Sequence, residues 1–226
     1  MKFVREFVYL PTAISIDTDS GRRYTTPDGV LYPSITTVLG DQPDKKQSLD
    51  RWRAKIGVEK ANQISTAAAK RGSNFHSLLE QYLDEQEVDI RKEFPITGML
   101  FNAMRRKLEA NLDKIYAIEA PMYSDRLRLA GRSDLIGSWR GSSAIIDFKT
   151  STKRKKREWI TDYFLQATAY SIMFEEHSGI KTNGIVVLIA SDDGHLDCFE
   201  DNRDNYIDKL LSIRDDYEMR FNINNE

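Results

Sequence analysis

Cysteine is all but missing: Cys198 stands alone in 226 residues. A single thiol excludes an internal disulfide and fits a reducing compartment. Long apolar runs are missing too. No segment approaches the length of a membrane-spanning helix, so no membrane partner is expected. The opening MKFVREFVYLPTA alternates apolar residues but is interrupted by Arg5 and Glu6, which suits a strand better than a signal peptide. Internal repeats and low-complexity segments are absent. A strong net charge is absent as well, the balance being −2. Hydrophobic residues make up 40% of the chain and aromatics 10%, enough to bury a full core, and 1–226 reads as one domain.

Periodicity divides that domain into three parts. Residues 1–45 read as N-terminal strands (3–16 and 22–32), with a hairpin turned at Pro27, Asp28 and Gly29. Residues 46–115 read as helical, with helices over 47–62, 65–86 and 97–114 and an acidic linker over 87–93. Residues 116–226 read as a sheet with flanking helices: strands over 116–123, 127–136, 144–150, 182–189 and 196–199, and helices over 158–177 and 203–221. Cys198 reads as a packing residue in the last strand. Helices before and between strands imply a mixed α/β sheet with helical layers.

The chemistry concentrates in GRSDLIGSWRGSSAIIDFKTS, residues 131–151. Alternation over 143–150 sends Ile146 and Phe148 to one side of a strand and Ile145, Asp147 and Lys149 to the other. A reversal centred near Arg140 and Gly141 sets Asp134 opposite Asp147. Facing carboxylates repel unless a cation lies between them. Oxygen ligands beside a lysine suit magnesium or manganese, with zinc a poorer fit. Such an ion activates water and neutralises a phosphate, which points to phosphodiester hydrolysis with Asp134, Asp147 and Lys149 as the catalytic group. An Asp-x-Lys triplet alone is weak evidence, since it arises often by chance on half-exposed strands.

Other residues add to it. Gln166 and Tyr170 share a helix face and offer an amide and a phenol, or form an ordinary polar edge. His76, four residues before Glu80, offers a nitrogen ligand or is an ordinary hydrogen-bonded histidine. Residues 126–160 hold ten Lys or Arg against three acids, while 191–226 hold four against eleven. Within the basic stretch, Lys153, Arg154, Lys155, Lys156 and Arg157 could grip a phosphate backbone; a solvated loop or a nuclear-localisation run is the alternative. Trp159 and Tyr163 could stack on unpaired bases or belong to the core. Glu119 reads as a surface carboxylate or an outer support of the metal site.

In order along the chain, Gly72-x-x-x-His76, Gly131-Arg-Ser-Asp134, Asp147-Phe148-Lys149 and Gln166-x-x-x-Tyr170 resemble the PD-(D/E)XK nuclease superfamily, in its RecB-like branch. Tyr32-Pro-Ser-Ile-Thr-Thr-Val-Leu39, Leu49, Trp52 and Lys70-Arg71-Gly72 look like the mitochondrial genome-maintenance exonucleases and their phage-encoded relatives. The resemblance implies a restriction-endonuclease-like fold. It also implies a metal held by His76, Asp134, Asp147 and the Phe148 carbonyl, a catalytic Lys149, and Gln166 and Tyr170 positioning DNA. Ser133 stands where the superfamily's name has proline. The four-cysteine iron–sulfur cluster of some relatives cannot be built from one cysteine. The expected activity is a magnesium- or manganese-dependent DNA exonuclease preferring single-stranded ends or flaps, with a helical arch drawn from residues 47–114 or a plain helical layer there. A structure-selective or restriction-type endonuclease and a non-catalytic DNA-binding recombination accessory stay open, as does RNA cleavage. No Arg- and Ser-rich, acid-poor transit segment is evident at the start. A cytoplasmic setting in a bacterial or phage-infected cell is therefore expected, mitochondrial only if a transit peptide has been removed.

Overall fold

The computed structural model describes residues 3–223. Its centre is a six-stranded mixed sheet in the order β1-β5-β6-β7-β8-β9, formed by Val4–Arg5, Leu112–Ser124, Leu129–Trp139, Ser142–Ser151, Gly184–Ser191 and Leu196–Asn202. A second, three-stranded antiparallel sheet is built from β2 (Ile14–Thr18), β3 (Gly21–Thr25) and β4 (Leu31–Pro33). The helices are α1 (Ile35–Gly40), α2 (Pro43–Ile56), α3 (Val58–Leu83), α4 (Pro95–Asn111), α5 (Thr161–Ser178) and α6 (Ile207–Ile223).

The sheet is apolar on both faces because helices cover both. Ile185, Val187 and Ile189 of β8 join a core with α1, α5 and α6. Val186, Leu188 and Ala190, the alternate residues, join the opposite core with α3 and α4. A strand buried on both sides reads as an unbroken apolar run, which is what Ile185 to Ala190 shows. Strands β7 and β8 are parallel, connected through α5. Parallel neighbours need such a crossover.

Two reversals fix the register that builds the site. Strands β6 and β7 are joined by Arg140 (φ +50°) and Gly141 (φ +80°), the pair of left-handed residues that a two-residue I′ hairpin demands. The β5–β6 corner is tied by Glu176 of α5, whose carboxylate accepts from the Ser124 hydroxyl at 2.5 Å and the Asp125 amide at 3.0 Å. Ser34 caps α1 by accepting from the Thr37 amide at 3.0 Å, and Ile35 is fully buried behind β6.

Several sequence expectations change in detail. The N-terminal strand of 3–16 is two short strands in different sheets, because Val4 and Arg5 pair with Lys114 and Ile115 while Ile14–Thr18 pairs with Gly21–Thr25. The helices expected over 47–62 and 65–86 are redrawn: α2 ends at Gly57 (φ +88°) and α3 runs unbroken through Ser65 and Thr66. Helix α4 stops at Asn111, three residues early, since Leu112 is already extended and buried at the start of β5. Helix α1 was not expected as a helix.

A candidate metal centre in a forked sheet

Strands β6 and β7 pair from Trp139–Ser142 to Leu135–Ile146 and then part. Beyond that rung β6 continues with β5, to Leu129–Ser124, apart from an isolated bridge of Ala130 to Ser34, and β7 continues with β8, to Ser151–Ser191. The fork leaves strand groups without ladder partners. The Phe148 amide finds the Asp134 carboxylate instead, at 2.7 Å. Continuing the register puts Asp134 across from Asp147, as the hairpin argument requires, and both are buried.

A third acid lies in the same row. Glu119 falls between the rungs Ile118–Leu135 and Ala120–Ser133 of β5 and β6, beside Asp134. Its φ of +45° is left-handed, a conformation costing a residue with a Cβ about 1 kcal/mol or more. Its side chain is 14% exposed. The surface-carboxylate expectation is therefore corrected: Glu119 is part of the centre. No local pattern marks it: Glu119 comes opposite Asp134 only once the Ser124–Leu129 rung is known, five steps from each.

His76 reaches this row from α3. Its Nδ1 lies 3.4 Å from Asp134 Oδ1 and 3.7 Å from Glu119 Oε1, and its ring meets Phe148 edge-on at 6.3 Å. Glu119 Oε2 is held by Arg132 Nε at 3.0 Å. One ligand atom each from His76, Glu119 and Asp134 fall within 4.8 Å of one another. On the α5 side, Lys149 Nζ is 2.5 Å from Asp147 Oδ2 and 5.2 Å from the centre of the Tyr163 ring. A hollow of about 280 Å³ opens beside His76 between Ser73, Ser77 and Glu80 of α3 and Arg132 of β6.

Electrostatics in the row are strained. Burial works against a charged His76, but Asp134 and Glu119 outweigh it and push the imidazole up to about 10. Burial also opposes a charged Asp134, yet His76, Lys149 and the Phe148 amide hold its carboxyl below the usual range. Asp147 is lifted to about 6 by burial, against the pull of Lys149 and with the push of the Asp134 charge. Burial opposes the Lys149 ammonium, and the two carboxylates overcome it.

Asp147 tests whether a hard cation fits. Its Oδ1 is buried with no hydrogen-bond partner, and its Oδ2 meets only the Lys149 ammonium, at 2.5 Å. The close Lys149 is an ionic neighbour without an aligned bond. Orphaned buried oxygens are rare. Next to the cluster of Glu119, Asp134 and His76, Asp147 would complete the donor set of a divalent ion that prefers oxygen.

The remaining expected residues divide. Gln166 Nε2 donates to the Tyr170 hydroxyl at 2.9 Å, but Tyr170 is 2% exposed. Its ring lies against β6, where a Cβ on Gly131 would sit 2.6 Å from Tyr170 Cε1. Gly131 is the notch that admits Tyr170, and half-buried Gln166 is the member nearer solvent. Gly72 brings α3 over β7, its missing Cβ 3.9 Å from Thr150 Oγ1. In the basic run, expected to grip a phosphate backbone or to be a solvated loop, Arg154 and Arg157 are engaged within the protein. Asp197 and Asp201 of β9 pair with them, so the acidic C-terminal stretch neutralises part of the basic one.

The chain is similar to several known proteins. Two curated relatives are named mitochondrial genome maintenance exonuclease 1. The mouse protein is 27% identical over 172 residues, covering 72% of this chain and 50% of its own length. The human protein is 24% identical over 173 residues, covering 73% and 50%. The chain thus spans about half the length of the curated relatives it matches. A crystal structure of a protein from Eubacterium rectale superposes on 66% of this chain and 65% of its own with a TM-score of 0.46 at 14% identity, too slight a likeness to carry weight. Residues 51–197, well over half of the chain and including His76, Glu119, Asp134, Asp147 and Lys149, match the family model of the PD-(D/E)XK nuclease superfamily, and the chain belongs to that superfamily.

Proposed function

We propose that this nuclease is a magnesium- or manganese-dependent DNA exonuclease acting on single-stranded ends or flaps. The observation that carries the reading is the row of Glu119, Asp134 and Asp147 across three strands, closed by His76 and Lys149. Asp134, Asp147, Glu119 and His76 would hold the ion, with the Phe148 carbonyl as a further ligand. When bound, the ion supplies positive charge against the phosphate and eases ionisation of a water. Lys149, kept charged by two carboxylates, would donate to the attacking oxygen or to the phosphate as its charge builds. Arg132, fixed by Glu119 and 57% exposed at the rim of the hollow, would meet the neighbouring phosphate.

Single-strand preference has its own support. Residues 62–70 of α3 are exposed on every side, and α2 buries no residue. This exposed stretch is tied before it by Lys45 to Asp162 of α5, and after it by Arg71, midway along α3, to Asp192 beyond β8, at 3.0 Å. Such a span would admit a flexible strand and obstruct a duplex. The test is an end-labelled assay comparing linear single-stranded, duplex and circular single-stranded DNA in magnesium, manganese or chelator. Metal-dependent degradation of the linear single strand alone supports the reading. Cutting of circles would replace the exonuclease with an endonuclease, and binding without turnover would remove the enzyme.

A further inference from the structure

Residues 152–160, between β7 and α5, carry five basic side chains that the structure treats unequally. Arg154 forks onto Asp197, with Nη2–Oδ1 at 2.6 Å and Nε–Oδ2 at 3.3 Å. Arg157 pairs with Asp201, donates to the Glu200 carbonyl at 3.3 and 3.4 Å and stacks 4.9 Å above the Phe164 ring. The Ser151 hydroxyl donates to the Lys153 carbonyl at 2.7 Å, and Ile160 is buried. These contacts fasten the backbone and neutralise an acidic strand that would otherwise repel a phosphate chain. Lys153 and Lys155, by contrast, have no ion-pair partner among the described residues. Lys156 Nζ lies 4.0 Å from Glu158 and 5.3 Å from the centre of the Trp159 ring. Trp159 is 62% exposed, whereas Trp139 is 3% exposed.

Both ends of the segment are anchored near Lys149. Lys153 follows it by four residues, a reach of at most about 14 Å. Tyr163, four residues beyond Trp159, holds its ring 5.2 Å from Lys149 Nζ. We propose that this segment is a preorganised rail for single-stranded nucleic acid next to the centre: Arg154 and Arg157 fasten it, Lys153, Lys155 and Lys156 meet phosphates, and Trp159 stacks on an unpaired base. Paired bases already stack on each other, so the exposed indole selects single strands. The rail rests on the nuclease reading above.

The test measures binding of a labelled oligothymidylate and of a duplex to the cleavage-deficient Asp147→Asn protein over a range of salt, with KM for cleavage measured in the wild-type background. Replacing Lys153 and Lys155 with Ala should flatten the slope of log affinity against log salt by about 1.4. Trp159→Ala should weaken single-strand binding by about fivefold or more and leave duplex binding alone. Arg154→Gln with Arg157→Gln should lower the melting temperature, which the lysine and tryptophan variants should not. Cleavage by the wild type with unchanged affinity, salt slope and KM in the lysine and tryptophan variants overturns the rail alone. A wild type that neither binds nor cleaves DNA overturns the nuclease reading as well.

Discussion

Removing the Asp147 charge should stabilise the metal-free protein while ending its activity. The carboxyl is fully buried, and its pKa rises from 3.8 to about 6. The folded state therefore binds its proton more tightly than the unfolded chain, and stability falls as pH rises from about 4 through 6. The rise is about two pH units at about 1.4 kcal/mol each, so the ionised form costs about 3 kcal/mol above pH 7. Asparagine has the shape of the neutral acid. Asp147→Asn should then recover about 3 kcal/mol at pH 8 and roughly half of that at pH 5, which for a chain of this length is a rise of roughly 6–12 °C in melting temperature at pH 8. Thermal and urea unfolding in chelator, at both pH values, measures it. Manganese should raise the wild-type midpoint and move that of the variant far less, because binding to the folded state stabilises it. An Asp147→Asn protein no more stable than wild type at pH 8 would refute the idea that this site is a strained, cation-seeking row.

Other residues give separate checks. Gly131→Ala drives a methyl into the buried Tyr170 ring and Ile35, and should cost about 1–3 kcal/mol in urea unfolding; no loss would mean that the notch is not needed. Glu119→Gln keeps the shape but removes a ligand charge, and should weaken manganese binding by about tenfold or more in calorimetric titration. His76, raised to about 10, is protonated at pH 8, whereas a ligand must be neutral, so manganese binding should release about one proton and tighten as pH rises. Titrations in buffers of different ionisation enthalpy count that proton, and a count near zero argues against His76 as a ligand. Lys149→Ala should abolish turnover while DNA binding persists, as read by single-turnover cleavage and anisotropy.

How much of this was legible in the sequence depended on whether the information was local. The β6–β7 hairpin could be read because Arg140-Gly141 sits between two alternating runs, and that alone places Asp134 opposite Asp147. The central helices and the β8 core strand follow from periodicity in the same way. Glu119 reads as surface in the sequence because its place depends on the β5–β6 corner, which Glu176 ties from a helix more than fifty residues away. Helix α1 escaped because six residues rich in Ile, Thr and Val give little helical pattern, and its formation rests on the Ser34 cap and the burial of Ile35. The pairing of Arg154 and Arg157 with Asp197 and Asp201 joins segments over forty residues apart, and no charge count along the chain could divide that basic run into fasteners and free lysines. Tyr170 shows the reverse limit: its motif was recognised, but only packing against Gly131 reveals that the phenol supports the strand from within.

Manganese located by anomalous diffraction in crystals soaked with the ion bears most directly on the central claim. A peak within bonding distance of Asp134 and Asp147, with Glu119 or His76 completing the set, is the predicted result. A peak elsewhere, or none between those carboxylates at concentrations that support cleavage, would contradict it.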